Sequence, residues 1–227
     1  HRRPASCGKN AAMNDLPTKS EIETAAETVY AAMAPTPQYA WPLLAAASGA
    51  NVWVKHENHT PTGAFKVRGG LVHMANLRAQ KPGIKGVIAA TRGNHGQSIA
   101  YGARANGIDA VIVVPEGNSA EKNAAMQAFG AELVVHGHDF QAALEFAEGL
   151  ADERDLEMIP SFAVELAHGV ATYGIELLTA VPEIDTLYVP KEHEQFAMGL
   201  GDGTEGRYHN LIGMYWQPVR DLFSRDG

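Results

Sequence analysis

The chain has 227 residues, of which 45% are apolar and 19% charged, so it can bury a core and is not disordered by composition. At roughly 150 residues per domain, this length predicts one large domain or two small ones. Its 18 Lys and Arg residues against 26 Asp and Glu residues give a net charge of −8, which argues against a nucleic-acid or anionic-membrane partner. No apolar run approaches the ~20 residues of a membrane-spanning helix.

The ends and the cysteine content add two expectations. A single cysteine, Cys7, leaves no intramolecular disulfide and no thiolate cluster for zinc, so we expect a reducing, cytoplasmic setting and no metal site. The chain begins with His1, and its basic first residues are followed by no apolar segment, so they are not a secretory signal. We interpret Met13 as the natural start and residues 1–12 as an extension.

The first part of the chain predicts two helices and one strand. Thr18 or Ser20 followed by Glu21 is typical of a helix start. Three prolines between residues 35 and 42 predict a loop. The predicted elements are helices at about 18–32 and 43–48 and a strand at 52–54.

From Gly86 onward, short apolar strands alternate with helices. The predicted strands are 87–90, 110–114, 133–135 and 158–159, and the predicted helices are 94–106, 120–129 and 140–152. This alternation predicts an α/β fold with a parallel sheet covered on both faces. A helix at 170–178 and a strand at 186–189 follow, and after Pro190 the pattern decays.

The first segment that carries chemistry is P-T-G-A-F-K-V-R-G-G at residues 61–70. It places Lys66 between a turn and a helix start, beside glycines that let the backbone approach a ligand closely. A lysine held there can form a Schiff base, since burial near other cations lowers its pKa and frees the amine. The alternative is an ordinary surface lysine beside a turn.

The second segment is T-R-G-N-H-G-Q-S at residues 91–98, between a parallel strand and its helix. Open α/β sheets bind ligands outside the carboxyl ends of their strands, and helix N-termini receive anions. The alternative is a glycine-rich turn with a helix cap.

The third segment is G-L-G-D-G-T-E-G at residues 199–206, where successive glycines can form a phosphate-binding nest. Its G-x-G-x-x-G match is weak because no strand runs into it, and Asp202 and Glu205 bring negative charge. A flexible loop is favoured here. The histidine pairs at 56 and 59 and at 136 and 138 are interpreted as loop or packing residues, because no third metal ligand is evident.

Together, the first two segments resemble fold-type II pyridoxal-phosphate enzymes, most closely the threonine/serine dehydratase branch. Lys55-x-Glu57-Asn58 leads into the lysine segment, and Pro160-Ser161-Phe162, residues 169–176 and residues 185–190 also look like that family. The resemblance runs from about Leu16 to Pro190. It implies a tryptophan synthase β-like fold of two three-layer parallel-sheet domains, the large one incomplete. The implied division is a large cofactor domain at 13–80 and 163–190, a small α/β domain at 81–162 and a tail at 191–227.

The resemblance also implies an activity, which is β-elimination of a hydroxyamino acid such as threonine or serine to a 2-oxo acid and ammonia. Lys66 is expected to bind pyridoxal 5′-phosphate as a Schiff base and then to take the substrate Cα proton. Phe65 is expected to pack by the cofactor ring, and Asn94 to bond its 3-oxygen. The implied phosphate-binding residues are Gly199, Gly201 and Gly203. The implied substrate-binding residues are Thr91, Arg92, Gly93, Asn94 and His95. A homodimer is also expected, since family members are commonly dimers.

Three departures from the family pattern stand out. Racemases of the family have a catalytic serine where this chain has Arg92, which cannot accept a proton, so elimination is predicted rather than racemisation. Arg92 either pairs with a second substrate carboxylate, as in a hydroxyaspartate-like substrate, or faces solvent. Ala64 stands where many relatives have serine. After Pro190, residues 191–198 intervene before the glycine loop, and Asp202 opposes a phosphate dianion.

The tail therefore indicates either a fragment with a foreign or frame-shifted end or a divergent short member. Three hypotheses about the whole chain remain open. They are a pyridoxal-phosphate lyase, a non-catalytic remnant that binds a partner or nothing, and a nucleotide-binding α/β protein.

Overall fold

The computed structural model describes residues 17–190 and the strand at 211–215. The predicted extension at 1–12 lies outside the described residues. So do most of the tail at 191–227 and the three loop glycines Gly199, Gly201 and Gly203.

Seven helices and eight strands make up the described part of the chain. The helices are α1 (Lys19–Ala32), α2 (Pro42–Ser48), α3 (Val67–Gln80), α4 (Asn94–Ala105), α5 (Ala120–Ala128), α6 (Phe140–Arg154) and α7 (Val164–Ala180). The strands are β1 (Gln38–Ala40), β2 (Trp53–Lys55), β3 (Gly86–Ala90), β4 (Asp109–Val114), β5 (Glu132–Val135), β6 (Glu157–Met158), β7 (Thr186–Pro190) and β8 (Leu211–Tyr215). One 3₁₀ turn lies at Glu57–His59.

The centre of the fold is a four-stranded parallel sheet in the order β5-β4-β3-β6. Successive side chains of a strand point to opposite faces, so Ala89 of β3 packs with α4 and α5, whereas Ile88 packs with α6. All five residues of β3 are buried. The sheet therefore has helices on both faces, which confirms the predicted α/β class.

Several helix ends follow from local sequence as expected. Thr18 and Glu21 form a reciprocal capping box at the start of α1, which satisfies two main-chain donors. Gly49 ends α2 with φ +73°, a left-handed conformation that favours glycine. No helix among the described residues is long and apolar enough to cross a membrane.

Three elements differ from the sequence-based expectations. The proline-rich segment predicted as a loop contains β1, which pairs antiparallel with β2. The helix predicted at 170–178 begins six residues earlier, at Val164. The tail without a clear pattern contains β8, which pairs antiparallel with β7.

The hydrophobic core does not stop at the domain boundary that the resemblance implies. Met74 of α3 and Leu166 of α7 belong to the same buried cluster as Ile112 of the central sheet. The division at residues 81 and 162 stays a prediction.

Helix α3 is packed closely between α4 and α7, and glycines make this approach possible. A Cβ on Gly102 of α4 would lie 2.5 Å from the carbonyl oxygen of Gly70 on α3. A Cβ on Gly69 would lie 2.6 Å from the carbonyl oxygen of Leu166 on α7. These backbone contacts fix the position of α3, whose first turn follows Lys66.

Candidate active site

Lys66 is the N-cap residue of α3, at the end of a tight turn. The Thr60 hydroxyl bonds both main-chain groups of Ala64: it donates to the carbonyl oxygen at 2.8 Å and accepts from the N–H at 2.9 Å. Gly63 has φ +67°, which explains why the turn needs a glycine there. The predicted turn before the lysine is therefore present, and Lys66 itself is half-buried.

The second segment forms the loop between β3 and α4. Thr91 is buried, and its hydroxyl oxygen accepts a hydrogen bond from the N–H of Gly93 at 3.1 Å. Gly93 is the N-cap residue of α4 and has no side chain, so within the described part of the chain no side chain caps this helix end. The first-turn N–H groups beside Asn94 and His95 are therefore available to an anion.

The structure brings these two predicted segments together. The Ser98 hydroxyl of α4 donates a hydrogen bond to the main-chain carbonyl oxygen of Lys66 at 2.5 Å. Burial, with the added positive charges of Lys66 and His73, lowers the pKa of His95 to about 4. His95 is consequently neutral at pH 7, and its Nε2 atom has no hydrogen-bond partner among the described residues.

Phe65 lies with its ring beside the Lys66 ammonium. Its ring is buried, lies 5.5 Å from the Lys66 Nζ atom and packs edge-on against Tyr173 of α7 with 6.4 Å between ring centroids. The sequence interpretation named Phe65 but gave no part to Tyr173 or Ser98. Tyr173 lies in the segment at 169–176, which carried the resemblance and could have pointed to it.

A buried charge cluster, formed by Lys55, Glu57, Arg68 and Glu176, lies next to this site. Arg68 is fully buried and binds two carboxylates: its Nε lies 2.7 Å from Glu57 and its Nη1 lies 2.6 Å from Glu176. The Lys55 ammonium contacts Glu176 at 2.5 Å. Two cations and two anions leave the cluster neutral, which is how a protein interior tolerates ionised groups.

The pKa values in this cluster reflect the competition between burial and partners. Burial raises the pKa of Glu176, but the hydrogen bonds and positive charges of Arg68 and Lys55 outweigh burial and hold it below its ordinary value of 4.5. Burial lowers the pKa of Lys55, against the opposing effect of Glu176. The cluster ties β2, the 3₁₀ turn, α3 and α7 together within two residues of Lys66.

Of the two histidine pairs, His56, His59 and His136 make ring contacts. His56 lies 5.4 Å from the ring of Tyr39, and His136 stacks on Phe146 at 3.9 Å. Within residues 17–190, no group of three or more His, Cys, Asp or Glu side chains gathers where a metal ion would bind. Asn94 and Arg92 are exposed at the loop, on either side of the buried Gly93.

The fold and this geometry define a class: an α/β protein with a lysine held beside an uncapped helix N-terminus at the carboxyl end of a parallel strand. The family model for pyridoxal-phosphate dependent enzymes matches residues 29–217. The chain therefore belongs to the pyridoxal-phosphate dependent enzyme family.

Individual relatives agree with that membership. The biosynthetic L-threonine dehydratase of Haemophilus influenzae is 33% identical over 80% of this chain and 36% of its own length. A pyridoxal 5′-phosphate-dependent aspartate racemase superposes with a TM-score of 0.71 at 30% identity, over 74% of this chain and 53% of its own. Threonine deaminase isoform 2 from Solanum lycopersicum superposes with a TM-score of 0.65 at 27% identity, over 75% and 51%.

The chain thus spans about a third of that curated relative and about half of those two solved structures. The members of the family depend on pyridoxal phosphate, an anionic aldehyde on a pyridine ring. The residues present fit such a group. Lys66 supplies an amine, the uncapped end of α4 supplies N–H donors, and the buried His95 Nε2 is free of partners among the described residues.

Proposed function

We propose that this chain carries the lysine-bearing part of a pyridoxal-phosphate-dependent dehydratase that eliminates water from a hydroxyamino acid such as threonine or serine. The observation that carries the proposal is the placement of Lys66 beside the uncapped first turn of α4. The threonine dehydratase and threonine deaminase relatives support the same reaction class.

Lys66 is the proposed attachment point of the cofactor, with Phe65 beside its ring and Asn94 bonding its 3-oxygen. The phosphate is assigned to Gly199, Gly201 and Gly203, which lie outside the described residues. When bound, the cofactor supplies an electron sink for the substrate Cα, while the protein supplies position and electrostatics.

The substrate carboxylate is assigned to the loop and first turn that precede and open α4. The proposed contacts of this carboxylate are Thr91, Gly93, Asn94 and His95, and Arg92 is a further proposed substrate-binding residue in the same loop. Main-chain N–H groups at a helix N-terminus favour an anion, and a neutral His95 donates or accepts a hydrogen bond without adding charge. The substrate Cα–H is assigned to the side of the lysine segment, which contacts α4 through the Ser98 hydroxyl.

Lys66 acts as the base that takes the Cα proton, and the Cβ–O bond then breaks. The hydroxide leaves as water with the proton that Lys66 carried. Hydrolysis of the resulting unsaturated amine consumes one water and gives a 2-oxo acid and ammonia. Arg92 has no acceptor and cannot return or remove a proton on the opposite face, so the proposed reaction is elimination rather than racemisation.

The direct test is a cofactor titration of the purified chain followed by borohydride reduction and peptide mapping. The expected result is the cofactor mass on the Lys66 peptide, with pyruvate released from L-serine or 2-oxobutyrate from L-threonine. Lys66→Ala is expected to lose both signals, and Lys85→Ala, which removes a lysine paired with an exposed Asp155, is expected to keep them. Folded protein that takes up no cofactor would instead identify a non-catalytic remnant.

The choice between elimination and racemisation needs a chiral measurement. Incubation with L-serine is expected to give pyruvate without D-serine on chiral chromatography. The variant Arg92→Ser restores the residue type found in the family's racemases and is the matched comparison. D-serine formed by the unaltered chain would contradict the assignment of Arg92.

The homodimer and the cytoplasmic location also stand as proposals. The face around α2 exposes large apolar side chains, and such patches mark association surfaces. They are Tyr39, Trp41, Leu43, Leu44 and Trp53. Sedimentation of the purified chain is expected to give twice the mass of one copy, and a sharp monomer boundary at micromolar concentration would contradict it.

A further inference from the structure

Two cationic side chains at the loop between β3 and α4 have no acidic partner among the described residues. Arg92 is exposed in the loop itself, and the Lys122 Nζ atom lies 2.9 Å from the position that a Cβ on Gly93 would occupy. Neither side chain makes a hydrogen bond or an ion pair with a described residue. Glu121 precedes Lys122 in the first turn of α5 but forms no ion pair with it.

This arrangement is exceptional in the described part of the chain. Every other described lysine and arginine has a partner: five hold carboxylates, two hold main-chain carbonyl oxygens, and Lys19 and Lys66 interact as well. The two that do not are Arg92, which directly precedes Gly93 in the chain, and Lys122, whose ammonium lies beside the same glycine. Two like charges without a partner repel each other, and an anion placed between them removes that cost.

In the proposed function, the α-carboxylate of an amino-acid substrate does not pair with Arg92 or Lys122. In the proposed function it is bound by the main-chain N–H groups at the uncapped start of α4. His95, the nearest titratable side chain in that turn, is neutral at pH 7 and supplies no competing charge. The two cations are therefore left for a second anionic group on the substrate.

We propose that Arg92 and Lys122 form a subsite for a side-chain carboxylate, so that the preferred substrate is a 3-hydroxy dicarboxylic amino acid. This proposal rests on the proposed dehydratase function. The Cα proton passes to Lys66, the Cβ–O bond breaks, and water leaves. Hydrolysis then releases ammonia and a 2-oxo dicarboxylic acid, and the second carboxylate takes no part in bond breaking.

A binding experiment tests the subsite without turnover. Calorimetry on the purified chain compares succinate with butyrate, which has the same carbon chain and one carboxylate fewer. Succinate is expected to bind at least about tenfold more tightly, since a charge-assisted contact of this kind is worth that factor. Arg92→Ala and Lys122→Ala are each expected to remove most of the difference, and Arg92→Lys to keep part of it.

Arg154→Ala is the matched control, because it removes an arginine from an exposed pair with Glu132, away from the loop. It is expected to leave the succinate preference unchanged. Equal affinity for succinate and butyrate in the folded, unaltered chain would overturn the subsite.

A turnover experiment on the cofactor-loaded chain separates the two proposals. The ratio of kcat/KM for 3-hydroxyaspartate to that for serine is expected to exceed about ten and to fall toward one in Arg92→Ala. Serine turnover without a preference for the dicarboxylate, or a preference for O-phosphoserine, overturns the substrate class but leaves the dehydratase function intact. Release of no 2-oxo acid from any substrate refutes the dehydratase function, and the calorimetry still decides the subsite.

Discussion

Helix α3 begins with two cationic side chains, Lys66 and Arg68, and the fold treats their surroundings in opposite ways. Arg68 is fully buried and is neutralised by Glu57 and Glu176. Lys66 is half-buried beside a loop where Arg92 and Lys122 have no acidic partner among the described residues. The positive charge of Arg68 is neutralised by carboxylates where it holds α3 in place. The positive charges of Arg92 and Lys122 have no described carboxylate partner at the loop where we propose that anions bind.

The largest expected effect comes from breaking the buried charge cluster around Arg68. Arg68→Met removes one of the two cations of the cluster and leaves the buried Glu57 and Glu176 with only Lys55 to neutralise them, which we expect to cost about 3–5 kcal/mol in the free energy of unfolding. Chemical denaturation measures this cost. Arg154→Ala breaks an exposed pair and is expected to cost at most about 1 kcal/mol. Similar losses in both variants would show that the buried cluster does not organise the start of α3.

The second effect is the pH dependence of stability that His95 causes in the first turn of α4. The pKa of His95 falls from an ordinary 6.5 to about 4 on folding, so the folded state disfavours its protonated form. Stability is therefore expected to fall as the pH drops from about 6.5 to 4, by about 3 kcal/mol. Denaturation across this range checks the slope, and His95→Gln is expected to reduce it.

A second histidine, His73, also contributes to the pH dependence and must be separated from His95. Burial also lowers the pKa of His73, against the opposing effect of Glu165, so it contributes to the same pH range with the same sign. The slope that remains in His95→Gln is expected to fall further in the double variant with His73→Gln. An unchanged slope in His95→Gln would contradict a buried, neutral His95.

The third effect tests the close packing of α3 against α4, without changing any charge. Gly102→Ala places a Cβ against the carbonyl oxygen of Gly70, and we expect a loss of about 1–3 kcal/mol because backbone cannot move aside cheaply. The control is Gly149→Ala in α6, where no atom lies within 4 Å of the new Cβ. That change is expected to be neutral or to stabilise the protein by up to about 1 kcal/mol. Thermal and chemical unfolding compare the two variants.

The smallest effect is the sharpest contrast with Arg68. Arg92→Ala removes an exposed arginine that has no partner among the described residues, so its free energy of unfolding is expected to change by at most about 0.5 kcal/mol. Circular dichroism melts of the variant and the unaltered chain measure this difference. A loss of several kcal/mol would mean that Arg92 holds the fold rather than a ligand.

Much of the fold was readable from local sequence, and the misses share a physical cause. The capping box of Thr18 and the glycine stop at Gly49 are local signals, so α1 and α2 were predicted nearly to the residue. Strand β1 is three residues long with little burial, so it has no apolar alternation to detect. The start of α7 was missed because Ala163 provides no side-chain cap and Gly169 resembles a break.

The candidate site divides in the same way. Local sequence singled out Lys66 and the loop at 91–95, because a lysine among glycines and a strand-to-helix turn are local patterns, and the family resemblance supplied the roles proposed for them. Lys122 was not found, because it lies in another helix and only the packing of α5 against α4 brings its ammonium to Gly93. Ser98 and Tyr173 lie in segments that carried the resemblance, but their contacts with Lys66 and Phe65 depend on helix packing and were not predicted.

By itself, the sequence determined the α/β class, the lysine segment and the family resemblance, since each depends on residues close together along the chain. Only the tertiary structure decided how charge is distributed around α3. The pairing of Arg68 with Glu176 spans 108 residues, and it depends on glycines that let α7 approach α3. Contacts over such separations follow from packing, which no local pattern specifies.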